Sequence, residues 1–207
     1  MKPKAIHTRV LSINNSEAIP IALRILDAGG LIAFPTDTVY GLAARVFDPN
    51  GIERLYLVKE RDTAKAIAVL IGNLEQLSQV ALEVNDQALQ LVRRFWPGAL
   101  TLVVTRCPEL PAILSPMPTV GVRMPDFPFT LQLLQKSGPL ATTSANLSGL
   151  TNPLTAQDVM DQLHDRVELI LDGGKAPGGI PSTVVDCTVS PPVLLRQGAI
   201  PASELFK

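Results

Sequence analysis

At 207 residues, with 46% hydrophobic and 18% charged residues, the chain suits one large domain over 1–207, long enough to bury roughly 70% of its unfolded surface without a staple. A net charge of −1 carries no global nucleic-acid signature, so an anionic ligand has to be met by locally gathered Lys and Arg. There is no run approaching the roughly 18 apolar residues of a membrane helix, no apolar h-region or cleavage site in MKPKAIHTRVLSINNSEAIP, and no CxxC around Cys107 or Cys187, so a soluble, cytoplasmic protein with reduced, structural thiols and no metal site is expected.

In chain order, Ser16 to Ala28 reads as a helix with Ile21, Ile25 and Ala28 on one stripe, Pro20 near its start and Gly29-Gly30 at its stop. LIAF (31–34) is short, apolar and followed by Pro35, the pattern of a buried strand that ends there. Asn50 is the expected cap of a second helix, in which Ile52, Leu55, Tyr56 and Lys59 fall at i, i+3, i+4 and i+7 and Lys59 sits at the C-terminal end. AIAVLI (66–71) is a second buried strand. Two helices follow, the later over 85–95 and closed by Trp96-Pro97-Gly98. Strands are then expected at 100–104, 120–124, 139–143, 168–172, 182–186 and 193–196, with helices near 128–136 and 155–164. This alternation predicts a layered α/β fold. Strands without intervening helices between 168 and 196 make its sheet mixed.

Polar residues gather where these strands end, the place where open α/β sheets bind ligands. The clusters are PTDTVYG (35–41), KERDTAK (59–65), TVGVR (119–123), TSANLSG (143–149), and GGIPSTVVD (178–186) with LLRQG (194–198). Taken singly, each has a structural reading as well: a turn whose hydroxyls satisfy its own backbone, cations at a helix C-terminus, an Asn in the left-handed region. Arg123 stands apart, because Val120, Val122 and Met124 share one strand face and leave Gly121 and Arg123 on the other. His7 and His164 are isolated, and Trp96 reads as core. GxxxxGK[ST] and GxGxxG are absent, and neither histidine neighbours a nucleophile motif. What remains is a set of Lys, Arg, hydroxyls and Asn, suited to binding and orienting anions.

Seven segments in order, PTDTVYGL (35–42), KERDTAKAIAVLI (59–71), FWPGALTLVV (95–104), VGVRMP (120–125), TSANLSG (143–149), PSTVVD (181–186) and LLRQGAI (194–200), together resemble the YrdC-like family of threonylcarbamoyl-AMP synthases over nearly the whole chain. The resemblance implies a twisted mixed β-sheet flanked by helices around a basic concave groove. It also implies a nucleotidyltransferase that joins L-threonine, bicarbonate and ATP into threonylcarbamoyl-adenylate and pyrophosphate, for modification of tRNA beside the anticodon. By the same resemblance Thr36, Thr38, Tyr40, Arg123, Ser144 and Ser182 line the threonine pocket. Lys59 and Arg61 act at the reacting groups, and both join Lys65, Thr119, Asn146 and Arg196 at ATP, with Leu70 contributing backbone contacts only. Magnesium is expected with the triphosphate, and a separate transferase downstream, since the chain stops eleven residues after Arg196. Two departures stand out: Asp62 and Leu70 occupy positions where many relatives have Pro and His, and KxRxxxK resembles the short bacterial form. The alternatives are an RNA-binding module without synthase activity, and a paralogue acting on another adenylated or carbamoylated metabolite. Retention of KxR and SAN favours the synthase.

Overall fold

The computed structural model describes residues 6–206 and arranges their strands in one eleven-stranded mixed sheet. The basic first residues, 1–5, and Lys207 lie outside the described residues. In chain order the elements are β1 (Arg9–Ser12), α1 (Ala18–Asp27), β2 (Ile32–Phe34), β3 (Gly41–Arg45), α2 (Pro49–Lys59), β4 (Ala68–Leu70), a 3₁₀ segment (Leu74–Gln79), β5 (Ala81–Glu83), α3 (Asp86–Phe95), β6 (Leu100–Arg106), a second 3₁₀ turn (Ala112–Leu114), β7 (Thr119–Arg123), α4 (Pro128–Ser137), β8 (Leu140–Ser144), α5 (Ala156–Leu163), β9 (Leu169–Asp172), β10 (Thr183–Asp186), β11 (Val193–Arg196) and α6 (Ala202–Leu205). Across the sheet the order is β1-β9-β2-β3-β8-β4-β7-β6-β10-β11, with β5 pairing β6 off this path. β9 pairs in parallel with β1 and β2, β4 with β7, and β6 with β10; the other pairings are antiparallel.

The period of two along each strand sorts the core into two layers. Ile32 and Phe34 of β2, Ala43 of β3 and Leu169 and Leu171 of β9 pack with Ala18, Ala22 and Leu26 of α1 and Leu133 and Leu134 of α4. Ala33, Leu42, Ala44 and Ile170 face the opposite way, into a larger layer with Ile52 and Leu55 of α2, Leu91 of α3 and Val159 of α5. Trp96 belongs to this second layer, where its indole N–H donates to Leu100 O (2.7 Å). Both cysteines are free and buried, and burial pushes the Cys187 thiol up to about 11, which leaves it unreactive. Among the described residues no helix is long and apolar enough to cross a membrane.

Four local expectations are corrected. The buried face of α1 is Ala18, Ile19, Ala22 and Leu26, whereas Ile21 and Ile25 are half-buried and Ala28 is exposed: the helix is rotated from the stripe its isoleucines suggest. α2 is capped by Asp48, whose carboxylate accepts from Asn50 N (3.0 Å), and Pro49 takes the first helical position. The segment after β4 is a 3₁₀ helix where an α-helix was expected. Three strands, β1, β3 and β5, went unread.

One cap also ties distant elements together. Asn85 accepts from Ala88 N (2.9 Å) at the start of α3 and donates through Nδ2 to Cys187 O (2.7 Å), just past β10. Asn85→Ala removes both bonds and is expected to lower the urea unfolding free energy by about 1 to 3 kcal/mol, more than a helix cap alone contributes. Asn85→Asp keeps the cap but sets a carboxylate oxygen against the Cys187 carbonyl, so its midpoint is also expected to fall below that of the wild type.

Candidate active site

Each of the five polar clusters contributes to the walls of one cavity of about 390 Å³, lying on the face of the sheet that α1 and α4 cover further along. Its floor is made of small or short side chains: Ala68 of β4, Gly121 of β7, Thr101 of β6, Thr142 of β8 and Val184 of β10. Gly121 keeps that floor low, since a Cβ there would stand 3.1 Å from the Thr101 methyl.

The loop after β2 forms one wall. Pro35 follows the strand, and the Thr36 hydroxyl then closes a tight turn, accepting from Thr38 N (3.1 Å) and Val39 N (3.3 Å) while donating to Val39 O (2.7 Å). Because that proton is committed, the 3.0 Å contact between the two threonine hydroxyls runs from Thr38 to Thr36. Tyr40 lines the cavity too, but its phenol is fully buried. It donates to Gly174 O (2.7 Å), accepts from Gly173 N (3.1 Å), and is pushed up to about 12 by burial. The turn's own hydroxyls therefore satisfy its backbone, and Tyr40 fastens it to the glycine-rich loop.

Lys59 and Arg61 part company at the end of α2. Glu60 between them adopts a left-handed conformation (φ 52°), an uncommon choice for a residue with a Cβ. Lys59 turns inward, fully buried, and its ammonium donates to the carbonyls of Ser144 and Asn146; it is not part of the cavity wall. Desolvation, with a smaller contribution from the Arg61 charge, brings Lys59 down to about 7. Arg61 faces the cavity, donating to Lys65 O (3.2 Å) and Ala66 O (2.9 Å). Lys65 contributes that carbonyl; its side chain is exposed and away from the wall.

Arg123, at the end of β7, is 6% exposed and held at all three nitrogens: Nε donates to Gly98 O (2.9 Å), Nη1 to Thr38 Oγ1 (2.9 Å) and Nη2 to Asp37 Oδ1 (2.5 Å). Arg196 of β11 lines the same cavity and donates to Ser182 O (2.8 Å) and Ser182 Oγ (3.3 Å), while Ser182 Oγ lies 2.8 Å from Thr101 Oγ1. Burial is the first cause of a lowered pKa in all three cavity arginines; the Arg61 charge adds to it at Arg196, and the Arg196 charge at Arg123. Converging cations in a half-closed site are what an anion relieves. No carboxylate side chain lies among the residues lining this cavity.

Of the sequence-assigned residues, Thr36, Thr38, Tyr40, Arg61, Leu70, Arg123, Ser144, Ser182 and Arg196 line the cavity, while Lys59, Lys65, Thr119 and Asn146 lie outside its wall. Thr119 shares a strand face with Gly121 and Arg123 at the far end of β7. Asn146 is buried and spends Nδ2 on Leu147 O and Leu150 O (2.8 Å each), leaving Oδ1 without a partner. The sequence reading missed Asp37 and Thr101. Asp37 was legible as a carboxylate between two threonines, but its partner lies 86 residues away.

The Sua5/YciO/YrdC family model, described as telomere recombination, matches residues 24–198. The chain is 41% identical over 191 residues to threonylcarbamoyl-AMP synthase of Pyrococcus abyssi, covering 91% of this chain and 56% of that protein. It is 38% identical over 201 residues to threonylcarbamoyl-AMP synthase of Bacillus subtilis, covering 96% and 58%. It thus spans little more than half the length of these two curated relatives. Among solved structures, P. abyssi Sua5 complexed with L-threonine superposes with a TM-score of 0.90 at 38% identity, over 98% of this chain and 60% of that one.

Proposed function

The chain belongs to the Sua5/YciO/YrdC family, and on that footing we propose that it carries L-threonylcarbamoyladenylate synthase activity, a nucleotidyltransferase reaction using L-threonine, bicarbonate and ATP. The observation that carries the reading is the convergence of Arg61, Arg123 and Arg196 with threonine and serine hydroxyls on one cavity whose lining has no carboxylate. Such a wall suits a polyanion beside a small hydroxylated substrate. The likeness to a structure that holds L-threonine supports the choice of amino acid.

In this reading the threonine amine attacks the carbon of bicarbonate, water leaves, and the resulting carbamate oxygen attacks the α-phosphorus of ATP in line, expelling pyrophosphate. No enzyme nucleophile takes part; the protein orients the reactants and neutralises charge. Thr36, Thr38, Tyr40, Arg123, Ser144 and Ser182 form the threonine subsite, and Arg61 and Arg196 hold the phosphates. Lys59 and Asn146 serve by shaping the Ser144 loop behind the wall, while Lys65 and Thr119 stand at the site's margin. Magnesium would enter with the triphosphate, as part of the substrate. The adenylate then passes to a separate transferase that modifies tRNA.

The test is pyrophosphate release with ATP, bicarbonate and each small amino acid in turn. Threonine is expected to be the best substrate and serine, lacking the methyl, poorer by about 10- to 200-fold in kcat/KM. Equal release with all of them would overturn the assignment.

A further inference from the structure

The cavity cations are not equivalent. Arg123 is paired with Asp37, in an ion pair whose side chains are only 7% and 14% exposed. Arg61 and Arg196 donate to carbonyls and a serine hydroxyl, and neither makes an ion pair with a carboxylate among the described residues. The cavity therefore presents one arginine in an ion pair and two that make none, the Asp62 charge reaching Arg61 only from beyond ion-pair distance. Asp37 is itself fixed: Oδ1 also accepts from Asp126 N (3.1 Å), the Thr36 turn sets its backbone, and its carbonyl is packed against Gly178, where a Cβ would come within 2.5 Å. Asp37 does not line the cavity, so its influence reaches a ligand through Arg123.

We propose that Asp37 is a positioning residue that makes the amino-acid subsite selective for a zwitterion over a simple anion. Of the five N–H groups of a guanidinium, three are committed to Gly98, Thr38 and Asp37, which leaves two for a carboxylate. The carboxylate of Asp37 cancels most of the arginine's field beyond that short range. An α-carboxylate still gains its directed hydrogen bonds, but a ligand whose only charge is negative gains little from the field around them. A zwitterion needs no net charge from the protein: its carboxylate takes the directed hydrogen bonds of Arg123, and the Asp37 charge behind that arginine lowers the repulsion its ammonium would otherwise meet. ATP, with its high negative charge, is met by Arg61 and Arg196 instead. This division of labour also keeps the nucleotide's phosphates from competing for the amino-acid subsite.

The inference rests on the synthase reading, and calorimetric titration separates the two. The probes are L-threonine, 2,3-dihydroxybutyrate (the same skeleton with hydroxyl in place of ammonium) and ATP with magnesium, each against the wild-type chain and Asp37→Asn. Asparagine keeps an acceptor for Arg123 and for Asp126 N but removes the charge. Wild-type protein is expected to bind threonine at least about tenfold more tightly than the hydroxy acid, and Asp37→Asn to reverse or erase that preference, with ATP affinity changed less than about threefold. An unchanged preference in Asp37→Asn overturns the proposal. Loss of ATP binding in Asp37→Asn also overturns it, because the residue's influence is then not confined to the amino-acid subsite, as does hydroxy acid bound by the wild-type chain as tightly as threonine. Failure of the wild-type chain to bind threonine at all would instead sink the synthase reading.

Discussion

Arg123→Lys is expected to lower pyrophosphate release by at least about 100-fold and the unfolding free energy by about 2 to 4 kcal/mol, although charge is conserved. The guanidinium reaches three acceptors in three directions: Gly98 O, Thr38 Oγ1 and Asp37 Oδ1. An ammonium on a shorter head cannot meet all of them in that geometry. Whichever is abandoned stays buried, and the most expensive to abandon is the Asp37 carboxylate, whose side chain is 14% exposed. In the proposed site, function suffers separately from stability, because the two N–H groups not spent on these acceptors lie in the plane set by the other three bonds, and a point charge has no such plane. Steady-state kinetics and urea titration read the two effects independently. Wild-type threonine affinity in Arg123→Lys would mean that this residue does not contact the amino acid.

The residues that were legible in sequence are those whose environment is set within a few positions. Ile52, Leu55, Tyr56 and Lys59 at helical spacing are all buried, and Val120 and Val122 lie opposite Gly121 and Arg123 as the strand period requires. β3 escaped because Gly41-Leu42-Ala43-Ala44 is buried on both faces and shows no alternation, so only its pairing with β2 and β8 defines it. β1 escaped for the opposite reason, since only one of its four residues is buried. At the site, spacing correctly gathered Lys59 and Arg61 at one helix end, yet it could not divide them. That division depends on the backbone of Glu60, a residue with no glycine-like signal in the sequence. Asp37 was overlooked for a related reason: its effect on Arg123 is a tertiary contact between a loop and a strand end, invisible until the sheet brings β7 beside the loop after β2.

Lys59 gives the chain a pH dependence that can be isolated. The side chain is 1% exposed and its pKa falls from 10.5 to about 7, chiefly because burial disfavours the charged form. Between these two values the unfolded chain holds a proton that the folded chain releases, so folding stability rises with pH through that window. The contribution is fully present above 10.5 and is lost as pH falls through about 7, where the ammonium has to be buried charged. One proton corresponds to about 1.4 kcal/mol per pH unit, which gives about 2 kcal/mol between pH 7 and pH 9 once partial protonation at pH 7 is allowed for. Other groups titrate in the same range, so the quantity to measure is the difference between wild type and Lys59→Met. Methionine has nearly the same length and no charge. It leaves the carbonyls of Ser144 and Asn146 without their donor, an offset that does not vary with pH. Urea unfolding at pH 7, 8 and 9 is therefore expected to show the wild type gaining about 2 kcal/mol relative to the variant, whichever of the two is more stable at pH 7. Parallel curves across that range would show that Lys59 remains protonated in the folded chain, held by its two carbonyls against the cost of burial.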